Sequence, residues 1–565
     1  MKVTTAQEFA LSAAKKYLQS VVFVDDEIYM RVPAQAIKEE VTRAVTVPTF
    51  AAMKIYQKPL EPDVREIIEV PADKVAATEA SIAAQTDMGA MYHPKHLVES
   101  FARERMVCAL YEPEKNFKTD PESDLFKLCE RADVVILDWE FHKEPGTKVV
   151  DLIAGLVASA QTTVPHHVRL CAIYTSTQNL KHVAQRVFDH LNDKKLGARA
   201  DGEYVINAGS SRITVLGKPT TGRPTDQAEA AEVAEANLAE RIIKEFAKMH
   251  EGILPSIALH GLASVRTNTK KILDKFRADM DGAFLTQRGL VWPADDAFEQ
   301  IPELLAEEAL AVMIDNSLSS AAATAMANSA IDAMDIKTAW TGTDSKPTPA
   351  GEYPKRLLKE GPAAIRKNVR LDHKAIRKLH QELDADNTNA TERLAALYVV
   401  RTQYGSERYL EFGTIVRYPV TVGAKEEFRY AVCLMPLCDC VRLTDRSSYR
   451  FPFWDLKSVA GKGQSKGVMI ELPDSEGFVE LFSYGKPRDQ LWMDDFTAGD
   501  EQMVKAEKAD AKFLLKGKQR SCEWVAQLKP GHAQRIAHDL GTSLARVGVI
   551  EAEWLRLKAD GADSD

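Results

Sequence analysis

Residues 21–30 read VVFVDDEIYM: four apolar positions, two adjacent aspartates and a glutamate, then apolar residues again. The β-branched start is that of a strand buried on both faces. Its end is unusual, because two unit charges about 4 Å apart repel by roughly 4 kcal/mol at an effective dielectric of about 20. Side-by-side carboxylates therefore need open water, a proton or a cation, and the first strand of the chain already raises the question of a site.

The pattern around this strand is regular. A helix is expected over residues 5–19. From His93 the chain alternates between a helical HPKHLVESFARER, a strand MVCALYE, a helix SDLFKLCERA, a strand VVILD ending at Asp138, and a helix KVVDLIAGLVASA. Next come a strand VRLCAIYTS, a helix NLKHVAQRVFDHL, a polar loop through Gly209, a strand SRITVLGKP, and a long helix over 226–249. Alternating short strands and amphipathic helices imply a doubly wound parallel sheet covered on both faces. Ligands bind such sheets at the carboxyl ends of the strands.

Chemistry collects at those ends. The first strand ends in Asp25 and Asp26, another in Asp138, the next in Thr175 and Ser176, and the last in Lys218 followed by Pro219. Any one of these reads as a turn former or a helix cap. Together they form a set. Three converging carboxylates make a hard oxygen site suited to Mg²⁺. A lysine ammonium suits a phosphoryl group as a point charge, a threonine hydroxyl can donate to one of its oxygens, and a carboxylate can act as nucleophile to give an aspartyl phosphate.

In this order the residues resemble the receiver domain of two-component response regulators. The resemblance implies a five-stranded, flavodoxin-like parallel sheet over residues 1–250, with residues 29–92 inserted where receivers have a short loop. It implies that Asp25, Asp26, Asp138 and the backbone carbonyl of Glu140 hold Mg²⁺. It further implies that Asp138 is the phosphoacceptor, with Thr175 and Lys218 contacting the phosphoryl group and Pro219 following the lysine across a cis peptide. Gly146 falls where receivers carry a glycine. The implied phosphoryl donor is a histidine kinase or a kinase-like ATPase, and the implied catalysis is at most phosphoryl acceptance and self-dephosphorylation. This chain departs from the family at Val215, where receivers commonly have an aromatic residue. Tyr174 is the neighbouring aromatic.

The rest of the 565 residues is less specific. A net charge of −9 argues against a protein that coats nucleic acid or anionic membrane. The chain contains no run of about 18 apolar residues and no signal-peptide core, and its seven cysteines fit reduced thiols, so a cytoplasmic protein is expected. Residues 251–405 read as helical, with a polar loop or hinge at 341–354. The basic stretch at 355–380 is a solvated helical face or a contact for a protein partner or nucleic acid, with Lys367, Arg370 and Lys374 as test positions. Residues 406–565 read as a β-rich domain ending in a helix. There Cys433, Cys438 and Cys440 lack the spacing of a zinc site, and Asp439 reads as a turn carboxylate. Two functions are in view: a signalling protein whose phosphorylation at Asp138 controls the C-terminal module, and a pseudo-receiver scaffold, with an anti-phage system as one setting, that binds partners without phosphotransfer. A nucleic-acid-binding effector is a third.

Overall fold

A computed structural model describes residues 6–28, 94–162, 167–291, 296–315, 321–383, 389–444, 447–458, 467–473, 477–484 and 487–544. The expected 29–92 insertion lies outside them. The chain divides into two compact units, Met1–Arg370 and Leu371–Asp565.

The first unit carries β1 (Ser20–Val24), β2 (Val107–Tyr111), β3 (Val134–Leu137), β4 (Glu140–Phe141), β5 (Glu144–Pro145), β6 (Arg169–Thr175), β7 (Arg199–Ala200), β8 (Val205–Ala208) and β9 (Ser211–Gly217). Its main sheet has the order β2-β1-β3-β6-β9-β8-β7. The first five strands in that order run parallel. The last two are antiparallel. The sheet thus has seven strands and not the expected five, because the segment read as a polar loop folds back as a hairpin. Ala208 pairs with Ser211 across Gly209 and Ser210, and Gly209 takes φ +57°, which a tight two-residue turn requires.

Helices cover both faces: α1 (Ala6–Tyr17), α2 (Pro94–Arg103), α3 (Asp124–Glu130), α4 (Thr147–Thr162), α5 (Leu180–Asp193), α6 (Thr225–Ala231) and α7 (Glu235–Met249). Alternate residues of each strand go to opposite cores, as the two-residue period of a strand dictates. Val22, Val24, Val135 and Leu137 pack with α3, α4 and α5. Val21, Phe23, Val134 and Ile136 pack with α1, α2 and α7. The long helix expected over 226–249 is interrupted between α6 and α7. Glu232 is extended there (ψ 133°), and the Val233 amide donates to the Gly217 carbonyl at 2.9 Å, so the chain pairs with the end of β9 before turning helical again.

Beyond α7 the unit continues as α8 (Ile253–Thr267), α9 (Thr269–Leu273), α10 (Asp281–Leu290), α11 (Asp296–Asp315), α12 (Ala321–Ala333) and α13 (Glu352–Glu360). The stretch expected as a loop at 341–354 is held by bridges from Thr341 to Pro347 and from Gly342 to Val369, and helix begins at Glu352.

The second unit holds a nine-stranded sheet whose main path starts at Val468–Glu471 and ends at Glu507–Ala509. Its strand pairs are antiparallel. The stretch 428–443, read as one strand, stops at Cys433, and Leu437–Asp439 forms a single 3₁₀ turn. Cys433 and Cys440 are buried, Cys438 is exposed, and Asp439 is an exposed turn residue. The closing helix is described over Pro530–Leu544. Among the described residues no helix is long and apolar enough to cross a membrane.

Candidate functional site

Parallel pairing continues one residue past the strands and sets the aspartates side by side. The Asp25 amide donates to the Tyr111 carbonyl at 3.2 Å, and the Asp138 amide to the Val24 carbonyl at 3.0 Å. Asp25 is fully buried. Its Oδ1 accepts the Glu27 amide at 2.8 Å, a local turn that leaves Oδ2 facing inward, 3.0 Å from Lys218 Nζ. Asp138 Oδ1 accepts the Trp139 amide at 2.7 Å, and its Oδ2 lies 3.2 Å from the same ammonium. Asp26 faces the β4–β5 hairpin, where its Oδ2 accepts the His142 amide at 2.7 Å and lies 3.3 Å from His142 Nδ1.

Asp25, Asp26 and Asp138 each offer an oxygen within 4.8 Å of the others. Burial raises the Asp138 pKa to about 7, and the neighbouring Asp25 charge pushes the same way against the Lys218 ammonium and the Trp139 amide. An all-oxygen, partly buried carboxylate trio with one cation already drawn between two of its members fits a hard divalent ion such as Mg²⁺.

Thr175 and Lys218 come from neighbouring strands: Thr175 pairs with Gly217, and the Lys218 amide donates to the Thr175 carbonyl at 2.8 Å. The Thr175 side chain is buried, and its Oγ1 lies 3.0 Å from Thr177 Oγ1. Tyr174 is a core residue on the opposite face, with its hydroxyl donating to the Val233 carbonyl at 2.8 Å and its ring centroid 5.9 Å from Lys218 Nζ. Glu140 is exposed and pairs with Pro145 in the hairpin.

Two residues at this end escaped the sequence reading. Arg223, with a wholly buried side chain, donates from Nη1 to the Lys218 carbonyl (2.7 Å) and the Glu232 carboxylate (2.6 Å). From Nη2 it donates to the carbonyls of Thr175 (3.1 Å) and Thr177 (3.0 Å). One guanidinium therefore ties the ends of β6 and β9 to the break between α6 and α7. Gly217 leaves it room, since a Cβ there would lie 2.3 Å from Arg223 Nη1. The second is His142. With Lys143 it forms the two-residue turn of the hairpin, both at positive φ (51° and 68°), and its Nε2 lies 2.9 Å from the Pro113 carbonyl. Nothing in TTGRPT marks a buried arginine, and a His-Lys pair lacks the Asn-Gly signature of such a turn. Gly146 sits where expected, at φ +74°, with its amide on the Trp139 carbonyl at 2.8 Å.

No curated protein and no solved structure matches the chain. The family model of the response receiver domain matches residues 17–223, the segment that supplies β1 through β9 together with Asp25, Asp26, Asp138, Thr175, Lys218 and Arg223. The match ties the chain to signal transduction in general. Residues 17–223 are thus similar to the response receiver domain family, with a long segment between the first strand and the helix at Pro94 that sets this stretch apart.

Proposed function

We propose that the first unit accepts a phosphoryl group on Asp138 from a partner histidine kinase or kinase-like ATPase and that this modification controls the output of the C-terminal module. The observation that carries the reading is the Lys218 ammonium lying between Asp25 and Asp138, at 3.0 and 3.2 Å, at the ends of strands in receiver order. In this reading Asp25, Asp26, Asp138 and the Glu140 carbonyl hold Mg²⁺, which when bound neutralises charge on the transferring group.

The ionised Asp138 carboxylate attacks phosphorus. A P–N bond of a phosphohistidine donor, or a P–O bond of an acyl phosphate, breaks with its electron pair leaving on the donor, and an acyl phosphate forms on Asp138. Lys218 moves its charge from the carboxylate to the new phosphoryl oxygens. The Thr175 hydroxyl turns from Thr177 toward them, and Arg223 passes that shift to the segment around Glu232.

The test is intact-mass analysis of the full chain after incubation with acetyl phosphate and Mg²⁺. The expected result is a gain of one phosphoryl group that hydroxylamine removes and that Asp138→Asn abolishes. An unchanged mass, under conditions that modify a control receiver, would leave the pseudo-receiver scaffold as the reading.

A further inference from the structure

The Lys218 ammonium holds two of the three clustered carboxylates, Asp25 at 3.0 Å and Asp138 at 3.2 Å. The third, Asp26, is held by His142. The His142 backbone amide donates to Asp26 Oδ2 at 2.7 Å, and its ring Nδ1 lies 3.3 Å from the same oxygen. Both contacts fall on Oδ2, so Oδ1 is the oxygen left for a cation.

The imidazole is itself fixed. Its Nε2 lies 2.9 Å from the Pro113 carbonyl, and a carbonyl can only accept, so Nε2 carries a proton and donates it. Asp26 follows β1, Pro113 follows β2, and His142 lies in the β4–β5 turn after β3, so one residue joins the loops that leave three neighbouring strands. Other contacts seat the body of that hairpin. Phe141 is buried with its ring 5.2 Å from that of Phe117, and Arg186 Nη1 donates to the Pro145 carbonyl at 2.9 Å. His142 is what ties the hairpin to a carboxylate of the cluster.

The ring stands behind Asp26 and not beside the ion. Among the described residues, the ligand atoms that gather within 4.8 Å of one another are those of Asp25, Asp26 and Asp138. A group bonded to a metal ligand fixes that ligand's orientation, and its loss typically weakens metal binding by about 10–100-fold. We infer that His142 is a positioning residue of the divalent-cation site, setting its affinity by fixing Asp26 and the hairpin that carries the Glu140 carbonyl. The inference rests on the reading that these residues hold Mg²⁺, and not on phosphoryl transfer to Asp138.

Titration of the full chain with Mn²⁺ tests it without a phosphoryl donor, since Mn²⁺ takes the same octahedral oxygen sites and its free ion is counted by electron paramagnetic resonance. Asparagine tolerates the positive φ of His142 (51°) but lacks the ring nitrogen that reaches Pro113. His142→Asn should raise the Mn²⁺ dissociation constant about tenfold or more, with little change of the melting temperature in chelator. Lys143→Asn, in the same turn with an exposed side chain, should bind as wild type does. In an Asp26→Asn background, His142→Asn should change the constant by less than about twofold, because the carboxylate it positions is gone. Equal affinity of His142→Asn and wild type overturns the inference. So does an undiminished loss in the Asp26→Asn background, or a matching loss in Lys143→Asn, which would assign the effect to the turn and not to the ring. A wild-type chain that binds no Mn²⁺ overturns the metal reading and the inference together. The expected pattern in a chain that acetyl phosphate does not modify would uphold the inference and overturn phosphotransfer alone.

Discussion

Lys218 and Asp25, 193 positions apart in the chain, are joined by a buried 3.0 Å ion pair at the carboxyl edge of the sheet. The same ammonium reaches Asp138 at 3.2 Å, so one lysine offsets two carboxylates that would otherwise repel in a site with little water. Lys218→Met should therefore destabilise the first unit by about 3–5 kcal/mol in chelator at pH 8. The loss should shrink near pH 6, where Asp138 takes up a proton, and Mg²⁺ should restore part of it. Thermal melts with and without Mg²⁺ check this, and an unchanged melting temperature would show that the ion pair contributes nothing.

The Asp138 carboxyl has a second measurable property. Its folded pKa is raised to about 7 from an ordinary value of 3.8, so the folded state binds this proton more tightly than the unfolded chain. Stability from this group is then present at low pH, is lost as pH rises through about 7, and changes no further above that. Asp138→Asn removes the titration. In chelator the variant should melt higher than wild type at pH 8 and lose that advantage toward pH 5. A gap that does not vary with pH contradicts the assignment.

Arg223 offers a test separate from the carboxylates. Lysine cannot reproduce a planar fork bonded to three carbonyls and a carboxylate, so Arg223→Lys should cost about 2–4 kcal/mol in urea unfolding. Glu232→Gln, which keeps the carbonyl contacts, should cost less. Both should slow modification of Asp138 by acetyl phosphate if the clamp positions Thr175 and Lys218. Equal losses for the two substitutions would mean that the Glu232 ion pair carries the effect.

Gly146→Ala meets two obstacles. A Cβ would lie 2.1 Å from Trp139 Cζ2, and φ is +74°. A destabilisation of about 1–3 kcal/mol is expected. In a double-mutant cycle with Trp139→Leu, the steric part should disappear and the backbone part remain. Full additivity would show that the indole is not the obstacle.

The sequence made the strand ends legible because each parallel strand is an unbroken apolar run, as burial on both faces demands, and the first polar residue after it stands out. Asp25, Asp138, Thr175 and Lys218 were found that way. The β7–β8 hairpin was not, since Arg199–Ala200 and Val205–Ala208 are too short and too mixed for a period-two signal. The break at Glu232–Ala234 was hidden because alanine-rich sequence on either side favours helix, and only pairing with Gly217 overrides that propensity. Arg223 carried no signal, because its burial depends on carbonyls brought together by the fold.

The added hairpin also changes what the sheet presents to other molecules. Without it, β9 would be a seven-residue open edge, fully buried in side chain yet with a free row of amides and carbonyls. With it, the rim on that side is the two-residue β7, carrying Arg199. A strand that short offers almost no ladder for an incoming β-segment, so the hairpin acts as a guard against strand-by-strand polymerisation at a border where β9 alone would invite it.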